Sequence, residues 1–258
     1  MTQPVSKLYI VATPIGNLKD ISLRALEILA SVDLVAAEDT RHTRRLLDHF
    51  EIKQKLIAFH DHNERRQTDL LVDRIKAGES VALVSDAGTP LISDPGFRLV
   101  RAARAADVVV EAVPGASALT AALSVSGLPT DQFQFLGFLP AKGRATRLAE
   151  VSQYPGTIIL YEAPHRMASL LETVLEVLGG DRELVICREL TKLYEQVVQG
   201  LAGEVRDQMI RGEIPARGEF VVLISGATIV QSVAQIELVD CLRLLIAELP
   251  ISKAAELA

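Results

Sequence analysis

Short apolar runs that stop abruptly at small or polar residues recur along the first half of this chain, with amphipathic stretches of helical period between them. The runs at 8–12, 34–37, 56–59, 81–84 and 108–110 are built mainly from Val, Ile, Leu and Ala, without the alternation of a half-exposed strand. Such runs predict strands covered on both faces, as in a parallel sheet. The intervening pattern predicts a helix over 22–31 with Ser22 as its cap and Leu23, Leu26 and Leu29 on one side. It also predicts helices over 43–49 and over 64–77, the latter closed by Gly78. A fourth opens with Asp94 as N-cap and Pro95 as first helical residue, and a fifth, capped by Ser117, ends near Gly127. Five strand and helix units in alternation predict a doubly wound, mostly parallel sheet with right-handed crossovers.

Gly127, Leu128, Pro129 and Thr130 combine a helix stop with a breaker, which divides the chain. We expect an N-terminal α/β domain at 1–127, a C-terminal α/β domain at 128–228 and a helical tail at 229–258. In the second unit 133–138 alternates as a half-exposed strand, and Lys142, Gly143, Arg144 and Arg147 form a basic loop leading into a helix over 144–153. A buried strand at 157–161 precedes a long helix to about residue 178. Strands at 184–187 and 195–199 stand close enough to form a hairpin, which makes this second sheet mixed. A helix over 202–210 and a strand over 219–224 complete it. A further helix is predicted over 231–249, and Pro250 and Ser252 open another. That last helix reaches Ala258 in less than two turns, so the tail is expected to be an incomplete helical segment.

Composition narrows the function classes. Of the 258 residues, 49% are apolar and 23% charged, as in a globular protein with an ample core. The absence of Trp and the 4% aromatic share disfavour a base-stacking platform. A net charge of −6 argues against a basic nucleic-acid coat while leaving room for local basic patches in a cleft. Cys187 and Cys241 are far apart, which suggests neither a disulfide framework nor a zinc site and fits a reducing cytosol. Residues 1–7 lack the apolar core of a signal peptide, and no apolar run reaches spanning length, so a cytoplasmic protein without membrane partners is expected.

Chemistry concentrates where strands end. The run 81–84 leads into Asp86, Ala87, Gly88, Thr89 and Pro90, at the sheet edge where open α/β folds bind ligands, and Gly88 lets a ligand approach the main chain. Thr13 to Asn17, Glu38 to Arg41, His60 to Asn63, Val113 to Ser117, Glu162 to Arg166 and Arg188 to Lys192 follow other strands in the same way. Phosphate-loop and dinucleotide-turn motifs are absent, as is a nucleophile elbow, so nucleotide hydrolysis, nicotinamide chemistry and acyl transfer lose their usual supports. His60 and His62 would share a strand face but have no third ligand at metal spacing, so no metal is expected. A floor of small residues and exposed main chain suits a ligand of mixed polarity such as S-adenosylmethionine, whose methyl transfer needs alignment more than acid or base strength.

The stretches Ala12 to Ile21, Ala37 to Arg41, Ser85 to Gly96, Val113 to Ser117, Phe135 to Pro140, Tyr161 to Arg166 and Arg188 to Lys192 resemble, in order, those of the ribosomal RNA small subunit methyltransferase I family in the tetrapyrrole methylase superfamily. The resemblance runs from about Tyr9 to Gly226. It implies two α/β domains of the tetrapyrrole methylase type with a small C-terminal helical segment, and 2′-O-methylation of a cytidine ribose in the decoding region of small-subunit ribosomal RNA. It further implies S-adenosylmethionine held between the domains, no metal, and a homodimer acting on the RNA or the assembled small subunit. Cofactor contacts carry over to Pro14, Asp86, Ala87, Gly88, Thr89, Pro90, Ile92, Ser117, Ala118 and Tyr161. Thr89 stands where many members of the fold have Asp.

For substrate contact the strand-exit loops offer Arg41, His60, Asn63, Arg166, Arg188 and Lys192, whose cations and amides suit RNA phosphates. Arg188 and Lys192 could instead pair with Glu189 and Glu195, and Arg44, Arg45, Arg65 and Arg66 read as solvated helix faces. A ribose hydroxyl needs help losing its proton, and Glu38, Asp39, Asp94, Glu162 and His165 are the groups placed to give it, the pair after the second strand first. The competing functions are a methyltransferase of the same fold acting on a tetrapyrrole or other small molecule, and a non-catalytic RNA-binding assembly factor.

Overall fold

The computed structural model describes residues 6–227, with 240, 243, 245–247 and 250–257 of the tail. The first sheet contains β1 (Lys7–Val11), β2 (Leu34–Ala37), β3 (Leu56–Ala58), β4 (Val81–Val84) and β5 (Val109–Val113), in the order β3-β2-β4-β1-β5. Every pairing in it is parallel, so all five carboxyl ends lie on one edge. β2 and β4 are buried throughout, as uninterrupted apolar runs require.

Helices cover both faces. α3 (Glu64–Lys76) and α4 (Phe97–Ala105) bury Leu71, Ile75, Leu99 and Ala103 with Leu8 and Leu83. On the other side α1 (Leu23–Ser31) and α2 (Thr40–His49) pack Leu29 and Leu47 against Val11, Val35 and Val84. Ser22 caps α1 as expected, its hydroxyl accepting the Ala25 amide at 3.1 Å. Its buried positions are Ala25 and Leu29, however, and Leu23 faces water, because the helix meets the sheet along a narrower stripe than the leucine spacing suggested.

The second sheet is mixed. It contains β6 (Phe133–Phe138), β7 (Thr157–Glu162), β8 (Glu183–Arg188), β9 (Gln196–Leu201) and β10 (Phe220–Ile224), in the order β6-β7-β10-β8-β9. Only β6 and β7 are parallel, and β8 and β9 form the expected hairpin. α6 (Arg144–Glu150), α7 (Met167–Leu178) and α8 (Ala202–Ile210) cover one face through Leu148, Leu170, Val174 and Val205.

The other face of this sheet joins the two halves. Ile159, Val185, Cys187, Val221 and Leu223 pack against Ala122 and Leu123 of α5 (Ala118–Val125), against Leu128, and against Ile15 from the loop after β1. α5 thus precedes the turn at 127–130 in sequence and lies on the later sheet. The helix predicted over 231–249 falls mostly outside the described residues, whereas α9 (Ile251–Leu257) begins after Pro250 as its turn signals require. Among the described residues no helix is long and apolar enough to cross a membrane.

Candidate active site

Three loops at the carboxyl edge of the first sheet are tied into one surface. The Thr13 amide donates to the Gly88 carbonyl at 2.8 Å and the Gly88 amide returns the bond at 3.0 Å, bridging the loops after β1 and β4. Thr89 then donates through its hydroxyl to the Ala116 carbonyl at 3.1 Å, adding the loop after β5. Gly88 sits at φ +81°, and a Cβ there would come within 3.3 Å of the Ile15 side chain. A side chain at 88 is thus disfavoured by both backbone and space, which leaves the main chain bare toward the cleft.

That surface borders a cleft of about 420 Å³ between the two sheets, large enough for a small-molecule ligand. Its near wall is Ile15, Glu38, Asp86, Ala87, Gly88, Ile92, Ser93, Asp94 and Ala118, and Tyr161, Glu162, Phe138, Leu190 and the start of β10 form the far wall. Pro14 and Lys192, with Asp86 and Ala87 again, line an adjoining cavity of about 310 Å³. Thr89, Pro90 and Ser117 border neither cavity among their described lining. Ser117 stands at the start of α5 but makes no capping bond, and the Thr89 hydroxyl is spent inside the protein.

The acids separate into two groups. Asp94 does not cap α4, whose N-cap is Gly96 at φ +136°. Leu91 and Ser93 at φ +73° and +70° instead turn the segment so that Asp94 lines the cleft. Burial, reinforced by the charges of Glu38, Asp86 and Asp61 and opposed by the Ser85 hydroxyl, lifts its carboxyl to about 6. Burial also raises Glu38, although that carboxylate accepts the Asp86 amide at 3.4 Å.

Asp39 belongs to the second group. α2 starts three residues earlier than its pattern implied, with Asp39 as N-cap accepting the Arg41 amide at 2.8 Å. The Arg41 guanidinium closes on the same carboxylate and holds it below the usual range. Glu162 lines the cleft yet is buried in an ion triad with Arg144 at 3.1 Å and Arg166 at 3.2 Å, and its other bond takes the Ala163 amide. Arg144, read from sequence as part of a basic loop, is consequently interior. His165 is exposed on the short helical turn after β7 and borders no described cavity.

The expected substrate contacts are mostly committed elsewhere. Arg188 is buried and donates to the Arg217 and Tyr194 carbonyls, not to Glu195. Lys192 pairs with Glu189 at 2.8 Å and Glu219 at 3.0 Å. Arg166 holds the Leu139 carbonyl as well as Glu162. Asn63 folds back on the His60 amide and the Ala58 carbonyl, so His60 and His62 lie in a turn beyond β3 and share no strand face. Arg45 is exposed, as its reading on a solvated helix face requires, and with His42 it also lines the adjoining cavity.

Sequence reading named Tyr161 and Glu162 on the far wall but missed Phe138, Leu190 and the start of β10. Tyr161 carries edge-on contacts to Phe135 and Phe138 at 4.8 and 5.6 Å between ring centres, and burial pushes its hydroxyl up to about 12, so it stays protonated. Phe138 comes from an edge strand and is 56% exposed into the cleft. Gly218, Glu219, Phe220 and Val221 reach the site because β10 is antiparallel: Phe220 pairs with both Glu162 and Arg188, bringing the beginning of this strand to the exits of β7 and β8. Only the turn glycine at 218, with φ +90°, hinted at it.

Comparison with known proteins agrees with this geometry. The family of Tetrapyrrole (Corrin/Porphyrin) Methylases matches residues 7–206. Diphthine synthase superposes with a TM-score of 0.66 at 16% identity, over 86% of this chain and 91% of that one. Uroporphyrin-III C-methyltransferase from Thermus thermophilus, solved with S-adenosylhomocysteine, superposes with 0.58 at 18%, over 90% and 100%. Fold and cleft thus define the class, the tetrapyrrole methylases. Ribosomal RNA small subunit methyltransferase I of Pseudomonas aeruginosa is 52% identical over 97% of this chain and 90% of its own length, and that of Vibrio cholerae 50% over 97% and 88%. Within the class, the chain belongs to the ribosomal RNA small subunit methyltransferase I family.

Proposed function

We propose that this protein transfers a methyl group from S-adenosylmethionine to the 2′-hydroxyl of a cytidine ribose in the decoding region of small-subunit ribosomal RNA. The observation that carries the reading is the hydrogen-bonded cradle of three strand-exit loops facing a cleft, in a chain of this family. The fit is local: main chain bared at Gly88, small side chains at Ala87 and Ala118, and apolar Ile92 suit a nucleoside with a charged tail. When bound, S-adenosylmethionine supplies a methyl group on a positively charged sulfur. Asp86, Ala87, Gly88, Ile92 and Ala118 would hold it from one half and Tyr161 from the other, while Thr89, Pro90 and Ser117 lie behind this lining and Pro14 borders the adjoining cavity.

The chain's remaining task is to orient the ribose and receive a proton. Asp94 serves as the base, since a carboxyl lifted to about 6 is largely ionised at neutral pH yet basic enough to take the hydroxyl proton. Glu38 stands beside it as an electrostatic neighbour, while Asp39 caps α2, Glu162 is held in its ion triad and His165 lies outside the cleft. Cys187 is no nucleophile, because burial pushes its thiol up to about 12. A cytoplasmic homodimer belongs to the same reading.

The test offers purified protein and radiolabelled S-adenosylmethionine to small subunits, to naked small-subunit ribosomal RNA and to a uroporphyrinogen substrate. Label in RNA, mapped to a 2′-O-methylcytidine by nuclease resistance, is expected. Label in the tetrapyrrole alone, or in none of the three, overturns the assignment.

A further inference from the structure

From the second cavity we infer that the loop after β1 and the face of α2 form a seat for a nucleotide neighbouring the target on the RNA strand, with Arg45 and His42 meeting its phosphate. This rests on the RNA reading above and adds a site to it. The cavity, about 310 Å³, shares Ile15, Asp86, Ala87 and Glu219 with the cleft, so a strand whose target ribose enters the cleft has its next residue at this opening. Ile15, Leu18 and Leu46 give it an apolar side suited to a base face, with Pro14 and Gly16 beside them.

The charges around it are unequally committed. Glu219 is taken up by Lys192 at 3.0 Å, and Asp86 accepts the Asp39 amide at 2.9 Å. Neighbouring arginines are also engaged, Arg41 by Asp39 and Arg44 by the Gln54 carbonyl. Arg45 lies one helical turn from His42 on the cavity side of α2, is exposed, and makes no hydrogen bond or ion pair among the described residues. A guanidinium left unpaired at the rim of a cavity is suited to a phosphate supplied from outside. Gly16 lets the Lys192 side chain lie against the loop after β1, since a Cβ there would meet it at 2.5 Å.

The experiment compares wild type, R45Q, H42Q and the charge-matched control R65Q, on a helix outside both cavities. Binding of a fluorescein-labelled single-stranded decoding-region RNA is measured by anisotropy from 50 to 300 mM salt, and S-adenosylmethionine binding by calorimetry. R45Q is expected to weaken RNA binding about tenfold and to flatten the log-log salt slope by about one, with cofactor affinity and melting temperature unchanged. H42Q should weaken binding less. Equal losses in R45Q and R65Q, an unchanged salt slope, or lost cofactor binding in R45Q would each overturn the seat. Wild-type protein that binds RNA in this way but methylates none would instead refute the activity proposed above.

Discussion

Replacing Asp94 by Asn should remove turnover and stabilise the fold at the same time. Moving the carboxyl from 3.8 to about 6 corresponds to about 3 kcal/mol against its ionised form. Water on the open side of the cleft screens part of that, leaving roughly 1–2 kcal/mol. At low pH folded and unfolded chains both carry the proton and nothing is lost. As pH rises past 3.8 the unfolded chain ionises freely while the folded one resists, so stability falls until about pH 6 and is level above it. An isosteric amide does not titrate. Asp94→Asn is therefore expected to be more stable than wild type by ~1–2 kcal/mol at pH 7.5, with the gain shrinking to roughly a third by pH 4.5. Urea unfolding followed by circular dichroism at both pH values measures it. Turnover on small subunits should drop at least about 100-fold, and wild-type kcat should rise with pH and level off above about 6. A variant with full turnover, or one less stable than wild type at pH 7.5, would refute the reasoning.

Gly88→Val combines a strained φ of +81° with atoms pushed toward Ile15. It should cost about 1–2 kcal/mol and weaken S-adenosylmethionine binding at least about tenfold; unchanged calorimetric affinity would remove this loop from the cradle. Arg144→Met strips one partner from a Glu162 carboxylate whose side chain is 1% exposed, a loss of roughly 3 kcal/mol. Adding Glu162→Gln should recover more than half of that, and a double-mutant cycle with strict additivity would argue against the pairing. Cys187, buried and held protonated, should resist iodoacetamide in the native protein and react in urea, as read by mass spectrometry of its own peptide; equal labelling in both states would contradict its burial.

Local pattern was enough for the repeating architecture. Uninterrupted runs such as 34–37 and 81–84 need cover on both faces, which a parallel sheet between helix layers supplies, and the bounds of α8 and the hairpin of β8 and β9 were legible from local pattern and turn length. The strand-exit loops could be named because parallel strands put all their carboxyl ends on one edge. Identity came from seven ordered motifs, not from any single residue's chemistry.

What the chain order could not give was the partnership of charges and strands distant in sequence. Whether Asp94 caps a helix or faces a cleft depends on two backbone turns at positive φ, and whether Arg144 and Arg188 meet RNA or the interior depends on Glu162, Arg217 and Tyr194 arriving from other elements. The far wall needed an antiparallel β10, whose first residues reach the cleft only through register with β7 and β8. Periodicity within a segment records which face is buried; it carries no record of what that face, or an ion upon it, will touch.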